Sequence, residues 1–289
     1  MKVLITGAHG QLGRSLQQAA PDGYELVALD RSRLDISDNI AVTAAVEEAK
    51  PDVVINAAAY TAVDRAESER EQAYAVNAIG SKNLAQAAAK YDARLIHIST
   101  DFVFDGQSAQ PYRPDDATNP LGVYGHSKLE GEREVAGSGL DRWLIVRTSW
   151  VYAAQGSNFV STMLRLMNER DQVNVVCDQA GTPTWARSLA HTLWKAVAND
   201  DLRGIYHWSD AGTASWYDFA VAIQEEALQH GLLSRSAGIA PIRSELYPTA
   251  AKRPRFSVLD KTNTYEDFDL NAIHWRVNLR AAMLEIAHA

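Results

Sequence analysis

The chain is expected to be an α/β protein, a doubly wound parallel sheet with a smaller, interleaved C-terminal domain. Three observations predict this. Short apolar runs at 3–6, 26–29, 53–56, 95–99 and 144–147 alternate with helix-period stretches at 11–20, 38–49, 71–90 and 124–135, the signature of βαβ units. The runs are apolar almost throughout, as in strands covered on both faces. The first run then passes directly into Gly7-Ala8-His9-Gly10-Gln11-Leu12-Gly13 and a helix.

Taken in order, the first strand and its turn carry the clearest chemical demand. A backbone that turns sharply, approaches a pyrophosphate and aims a helix N-terminus at the anion needs glycine at fixed offsets. Gly7, Gly10 and Gly13 supply it, so a Rossmann-type dinucleotide-binding unit is expected here. The second strand ends at Asp30, a carboxylate placed to accept from adenosine ribose hydroxyls. Arg31 and Arg33 follow and suit a 2′-phosphate, so the sequence leaves NADPH or NADH open. The fourth strand ends in Thr100-Asp101. In open α/β sheets ligands gather beyond the carboxyl ends of the strands, where a hydroxyl can polarise a carbonyl and Asp101 can orient a sugar hydroxyl.

Residues 105–122 carry Gly106, Pro111, Pro114 and Pro120 and read as a long irregular loop, a kind that is often functional. The next helix opens with Tyr124-Gly125-His126-Ser127-Lys128. The i, i+4 spacing puts phenol and ammonium on one face. A cation there is expected to lower the phenol's pKa, making it a better proton carrier near neutrality, and Lys128 could also hydrogen-bond the nicotinamide ribose. Gly125 is tolerated inside the helix despite a cost of about 1 kcal/mol against alanine. Beyond 151 the pattern mixes: a helix at 159–169, a strand at 173–177, a helix at 189–198, a strand at 205–208, a helix from Ser215 and a terminal helix at 279–287. Residues 1–150 are therefore expected to bind the dinucleotide. Residues 151–289 mainly bind substrate, with 173–177 and 205–208 returning to the main sheet.

Composition narrows the function. The 289 residues are 46% apolar and 22% charged, ordinary for a globular protein. A formal net charge of −8 argues against sequence-independent binding to nucleic acid or an anionic membrane. Cys177 is the single cysteine; within its apolar run it reads as a buried, inert thiol in a reducing compartment. The apolar run at 3–5 is too short for a signal segment, and no stretch approaches the roughly 20 apolar residues of a membrane span. A cytoplasmic location is expected.

With these residues in view, the chain resembles the extended short-chain dehydrogenase/reductase superfamily and, within it, the dTDP-4-dehydrorhamnose reductases. The resemblance rests on Asn56-Ala57-Ala58-Ala59-Tyr60-Thr61-Ala62-Val63-Asp64, Ser99-Thr100-Asp101-Phe102-Val103-Phe104, Val123-Tyr124-Gly125 and Arg147-Thr148-Ser149-Trp150-Val151-Tyr152. Asp178-Gln179, Gly181-Thr182-Pro183-Thr184 and Arg253-Pro254 extend it into the second half. It implies reduction by NADPH or NADH of the C4 keto group of dTDP-4-dehydro-6-deoxy-L-mannose to dTDP-L-rhamnose. It implies that Gly10, Gln11 and Leu12 touch the pyrophosphate, Asp30 the adenosine ribose, Asp35 and Ile36 the adenine, and Ala59, Tyr60 and Thr61 the middle of the cofactor. Thr100, Tyr124 and Lys128 match the catalytic group; Thr100, Asp101 and Trp150 match the sugar-nucleotide contacts.

Phe102 stands where related 4,6-dehydratases carry an acid, which speaks against elimination of water. Some such reductases hold magnesium at a dimer interface through a carboxylate three residues after the Pro-Thr pair. This chain has Arg187 there, so no metal is expected, while a homodimer of another kind stays open. Outside the resemblance, the Lys252-Arg253-Pro254-Arg255 cluster suggests that Arg253 holds the substrate diphosphate. Two rival readings are a catalytically silent regulatory subunit of the same branch and a nucleotide-sugar epimerase. The intact Thr100, Tyr124 and Lys128 favour catalysis.

Overall fold

The computed structural model describes residues 1–288. In chain order the first half is β1 (Lys2–Thr6), α1 (Gln11–Gln18), β2 (Glu25–Leu29), α2 (Asn39–Ala49), β3 (Val53–Asn56), α3 (Val63–Ala66), α4 (Arg70–Tyr74), a π-helical turn (Ala75–Ile79), α5 (Gly80–Lys90), β4 (Arg94–Thr100), a 3-10 turn (Asp101–Val103), α6 (Val123–Ala136) and β5 (Trp143–Thr148). The second half is β6 (Val151–Tyr152), α7 (Phe159–Glu169), β7 (Gln172–Val176), β8 (Ala180–Gly181), β9 (Thr184–Trp185), α8 (Ala186–Ala198), β10 (Gly204–His207), β11 (Ala214–Ser215), α9 (Trp216–Gln229), β12 (Gly238–Ile242), α10 (Thr262–Asp267) and α11 (Trp275–Ala287).

Six strands form one parallel sheet in the order β10-β5-β4-β3-β1-β2. Successive side chains point to opposite faces of a strand, and both faces are apolar. Val3, Ile5, Ile55, Ile96 and Val146 pack on Leu12 and Leu16 of α1 and Leu189, Leu193 and Trp194 of α8. Leu4, Val54, Leu95 and Ile145 pack on Val42 and Val46 of α2, Leu84 and Ala88 of α5, and Val135 of α6. The chain runs from β1 outward to β2, then crosses to β3 on the other side. The topological switch point therefore lies between β1 and β3, and the crevice for a ligand opens at their carboxyl ends.

The second lobe has its own apolar core. Phe219 and Ile223 of α9, Leu279 and Met283 of α11, and Val160 and Met163 of α7 close around Tyr152, Val173 and Val175. A capping box, Ser215 with Asp218, starts α9 one residue after Ser215. Among the described residues no helix is long and apolar enough to cross a membrane.

Three expectations are corrected here. The strand expected at 173–177 does not return to the main sheet; β7 pairs in parallel with β12. Its alternation explains why: Val173 and Val175 are buried while Asn174 is exposed, a strand made for one covered face. By contrast β10 lies at the edge of the main sheet beside β5. Cys177 is exposed rather than buried: it falls one residue past the end of β7, where the alternation of the strand no longer places its side chain. The single helix expected over 71–90 is α4 and α5 joined through the π-helical turn.

Candidate active site

The turn after β1 is built to receive a diphosphate. Gly7 has φ +67°, and a Cβ there would lie 2.7 Å from the Ala57 carbonyl oxygen. A Cβ on Gly13 would sit 2.2 Å from the Gly7 carbonyl oxygen, and one on Gly10 at 3.2 Å. Gly10 caps α1 with no side-chain hydrogen bond, so the helix start keeps amide donors available for an anion. The glycines let the turn close against Ala57 and the helix start against Gly7 and Ala8, and the bare amides this leaves fit a dinucleotide pyrophosphate. Leu12 is buried in the sheet core and offers the ligand only its backbone. The Gln11 side chain accepts from Asn158 at 2.9 Å, tying the turn to the start of α7.

At the end of β2, Asp30 has structural work of its own. Its Oδ1 accepts from Ser32 N, Ser32 Oγ and Arg33 N at 2.8, 2.6 and 3.1 Å, and its Oδ2 faces His9 Nδ1 at 2.7 Å. The Ser32 hydroxyl above all holds its pKa below the usual value, with the Arg33 amide and His9 adding to the effect. Asp35 repeats the device with Ser37 N and Oγ. Ile36 is buried and lies where a Cβ on Gly80 would collide with it at 2.6 Å, so the expected adenine wall rests on α5. The Arg31 charge helps keep Asp35 ionised, placing the guanidinium near this end of the crevice.

The Ala59-Tyr60-Thr61 segment follows β3 and is fixed from below. Asn77 accepts from Tyr60 N at 2.8 Å, donates to Tyr60 O at 3.1 Å and donates to Ser127 Oγ of α6 at 3.0 Å. The Tyr60 phenol turns away to Glu69 at 2.6 Å, so this residue addresses the cofactor side with backbone rather than ring. Asn77 is buried and sits in the π-helical turn, a feature common at functional sites. Sequence reading missed it; an asparagine inside a helix-period run was the available signal.

Beyond β4 the chemical groups converge. Thr100 caps the 3-10 turn, its Oγ1 accepting from Phe102 N at 3.2 Å and donating to Asp101 Oδ1 at 3.1 Å. Burial pushes the Asp101 carboxyl up to about 6, against the hydroxyls of Ser257 and Thr100. The first turn of α6 lands on this corner because Gly125 has no side chain: a Cβ would lie 2.3 Å from the Phe102 carbonyl oxygen. Glu67 accepts from Val123 N at 2.8 Å and caps α6 from outside the helix; nothing in the sequence pattern flagged it. Tyr124 is thereby set beside Thr100, with its ring edge-on to Phe102 at 5.5 Å.

The expected cation effect on the phenol is corrected. Lys128 is buried and donates to Ile98 O at 2.6 Å, with His97 Nε2 at 3.4 Å. Its own pKa is pushed down to about 8 by burial, Glu132 opposing. Burial pushes the Tyr124 phenol up to about 12; the Thr100 hydroxyl favours the phenolate, and the Asp101 charge opposes it. Lys128 follows Tyr124 by one turn of α6, and one of its N–H groups is taken by Ile98 O at the end of β4.

Trp150, expected to meet the sugar, has φ +46°. Its ring stacks on Trp216 with centroids 3.5 Å apart, and Gly181 lies against it, a Cβ there lying 2.6 Å from the ring. The segment that carries Arg253 passes close to the start of α6, where a Cβ on Gly122 would lie 3.9 Å from Lys252 O. Arg253 makes a two-pronged ion pair with Asp64, at 2.7 and 3.1 Å, and also donates to Ala251 O. It lines a cavity of about 1270 Å³ together with Gly106, Phe159, Gln179, Trp216 and Arg255. Arg187 pairs with Glu285 at 3.1 Å and lies over the Trp185 ring.

Comparison with known proteins bears on this geometry. The family model for the RmlD substrate binding domain matches residues 1–288. The chain is 43% identical over 286 residues to the dTDP-4-dehydrorhamnose reductase of Aggregatibacter actinomycetemcomitans, covering 96% of this chain and 97% of that one. The crystal structure of a dTDP-4-dehydrorhamnose reductase from Clostridium acetobutylicum superimposes with a TM-score of 0.91 at 42% identity, covering 98% of each chain. That of the Bacillus anthracis enzyme, in complex with NADP, gives a TM-score of 0.93 at 38% identity, covering 98% of this chain and 99% of that one.

Proposed function

The chain belongs to the RmlD family of dTDP-4-dehydrorhamnose reductases, and from that premise we propose that Thr100, Tyr124 and Lys128 carry out the NAD(P)H-dependent reduction of dTDP-4-dehydro-L-rhamnose to dTDP-L-rhamnose. NAD(P)H, when bound, would supply the hydride for reduction at C4. The Gly7, Gly10 and Gly13 turn and the α1 start hold the diphosphate, and Ala59, Tyr60 and Thr61 border the cofactor's middle. Thr100 hydrogen-bonds the carbonyl oxygen and so orients it toward the phenol. Tyr124 then gives its proton to that oxygen as it becomes an alkoxide. Lys128, fixed at the end of β4, donates to the nicotinamide ribose. Asp101 and Trp150 orient the sugar, and the cavity bordered by Arg253 and Arg255 takes the nucleotide diphosphate.

The observation that carries this reading is the convergence beyond β4: Gly125 lets the first turn of α6 close on Phe102, which sets the Tyr124 phenol beside the Thr100 hydroxyl while Lys128 is anchored on Ile98 O. A reductase needs an acid that is protonated at working pH, and burial of the phenol favours that form. The test is spectrophotometric oxidation of NADPH and of NADH against dTDP-4-dehydro-L-rhamnose, with the product identified by chromatography. Tyr124→Phe keeps the ring and removes the acid. General acid catalysis is typically worth ~10²–10⁴-fold, so kcat should fall by that order while cofactor affinity holds. Near-normal turnover in the variant would place the proton source elsewhere. A wild-type protein that binds cofactor without consuming it would favour the silent regulatory reading.

A further inference from the structure

Two unfavourable features meet at Trp150. The residue lies two positions past Thr148, which is the β5 partner of Thr100, so it leaves the sheet at the carboxyl edge beside the reacting corner. Its φ of +46° is left-handed, a conformation in which a side chain crowds its own backbone. Its ring lies flat on that of Trp216, with centroids 3.5 Å apart and an interplanar angle of 5°. Aromatic quadrupoles favour offset or edge-on pairs over such a face-to-face sandwich. Strained arrangements persist only where the surroundings over-determine them, and they cluster at functional sites.

The surroundings do so from several sides. The Trp150 carbonyl accepts from Thr184 N at 3.1 Å, and Ser149 Oγ donates to Thr182 O at 2.8 Å, which fixes the backbone. Gly181 of β8 lies against the ring, where a Cβ would be 2.6 Å away. β8 pairs antiparallel with β11, Ser215 opposite Ala180, and the capping box at Ser215 starts α9 with Trp216. The fold thus delivers the second indole to the first, and Phe159 of α7 backs it at 4.7 Å.

Stacked rings could still slide in their common plane, and a polar relay prevents it. Trp216 Nε1 donates to Gln179 Oε1 at 3.2 Å. An indole N–H can only donate, so the orientation of the Gln179 amide is set. Its Nε2 donates to Ser244 Oγ at 3.0 Å, and Ser244 donates to Asp178 Oδ1 at 2.5 Å.

We propose that Trp216 is a positioning residue for the sugar: its indole, pinned by Gln179, holds the Trp150 ring in the left-handed conformation from which Trp150 meets the substrate. This rests on the role given to Trp150 above. A 6-deoxyhexose presents a methyl group and C–H faces, which an aromatic wall orients by contact rather than by charge. A wall that shifts also shifts C4 against the Tyr124 phenol, and a misplacement of about 1 Å can cost ~10²-fold in rate. A tryptophan serving only the core of the second lobe would instead weaken stability and the binding of every ligand together.

The test compares Trp216→Leu, Trp216→Phe and Gly181→Ala with the wild type, each as the full chain. Circular dichroism of the wild type should show the exciton band of a stacked indole pair, lost in Trp216→Leu. Trp216→Leu should lower kcat/KM for dTDP-4-dehydro-L-rhamnose by about 10- to 100-fold. The Kd of NADPH should stay unchanged, as should the competitive inhibition constant of dTDP, which lacks the sugar. Trp216→Phe keeps a stacking face and should recover most of the loss. Gly181→Ala leaves Trp216 intact but drives a methyl group into the Trp150 ring, so it should reproduce the loss with the same two constants unmoved.

Unchanged kcat/KM in Trp216→Leu would overturn the proposal, as would a wild type without the exciton band. So would a loss shared equally by the sugar substrate, dTDP and NADPH, since that is what a purely structural tryptophan gives. If Trp216→Leu does not fold, Gly181→Ala decides: normal kcat/KM there would show that the placing of the Trp150 ring is of no consequence to the sugar. A wild type that oxidises no NAD(P)H with this substrate would overturn the proposed reaction and this inference with it. That result is distinct from an active wild type whose Trp216→Leu is equally active.

Discussion

At the scale of single residues, the site is marked by groups that lose stability to gain function. Lys128 is the clearest. Its pKa is pushed down to about 8 in the folded protein, against an ordinary value near ~10.4 in the unfolded chain. The unfolded chain therefore binds the extra proton between those values, and stability rises with pH through that window. Below pH 8 the full cost is present, on the order of 3 kcal/mol at most. Lys128→Met, which keeps the bulk and removes the charge, should raise the melting temperature at pH 7 and flatten the rise toward pH 10 while abolishing most activity. A lower melting temperature at pH 7 would mean the bond to Ile98 O outweighs desolvation. Asp30 makes the contrasting case. The sequence presented it as a cofactor carboxylate, but three of its bonds close the turn after β2. Asp30→Ala should therefore weaken NADPH and NADH together, as read by equilibrium titration of each cofactor. A selective gain for NADPH would restore the simpler view in which Asp30 only repels a 2′-phosphate.

At the scale of elements, α6 is placed by two glycines that break its helix propensity for the sake of contact. A Cβ at Gly125 would meet Phe102 O at 2.3 Å, and one at Gly131 would meet Asn77 O at 2.1 Å. Alanine at either position gains about 1 kcal/mol of helix propensity but overpacks backbone against backbone, which typically costs ~1–3 kcal/mol or more. The second term should win. Gly125→Ala is expected to lower the melting temperature and to cut kcat more than it raises KM for cofactor, because the shift moves Tyr124 directly. Unchanged kcat would show that the helix slides without moving the phenol. The same contacts explain what could be read from sequence. Strands covered on both faces announce themselves as apolar runs, and the glycine turn and Tyr124–Lys128 spacing are local patterns. The π-helical turn is not local: Asn77 is needed where α6 and the 59–61 segment meet, and helix periodicity passes through it unbroken. Glu67 capping α6 and His97 facing Lys128 are likewise contacts between distant segments, invisible until the fold brings them together. The strand at 173–177 was legible as a strand, but its partner β12 lies some 65 residues on in sequence, a pairing that periodicity does not encode.

At the scale of the whole molecule, the large cavity is lined from both halves of the chain, by Gly106 and Leu121 as well as by Phe159, Trp216 and Arg253, and one polar clamp joins its wall to α3. Asp64 lies in the first turn of α3, three residues past the 59–61 segment proposed to border the cofactor. Its carboxylate accepts from the Ala251 amide at 3.0 Å and takes Arg253 in a two-pronged pair. The pair is partly exposed, with side-chain exposures of 23% for Arg253 and 45% for Asp64, so it contributes modestly to stability and more to geometry. This reframes the role expected for Arg253. If its guanidinium holds the substrate diphosphate directly, Arg253→Ala should raise KM for the dTDP-sugar several-fold, whereas Asp64→Asn should release the arginine and leave that KM equal or lower. If the guanidinium instead orders residues 251–255 along the cavity wall, both substitutions should raise KM for the sugar by similar factors. The double variant should then be no worse than either single one, the non-additivity expected of two groups acting as a unit. The bidentate geometry favours the second outcome. Because Asp64 follows the cofactor segment, bound NADPH should also tighten sugar binding in the wild type and lose that effect in Asp64→Asn. Calorimetric titration of a dTDP-sugar with and without cofactor measures the coupling, and equal coupling in the two proteins would reduce the clamp to a surface ion pair.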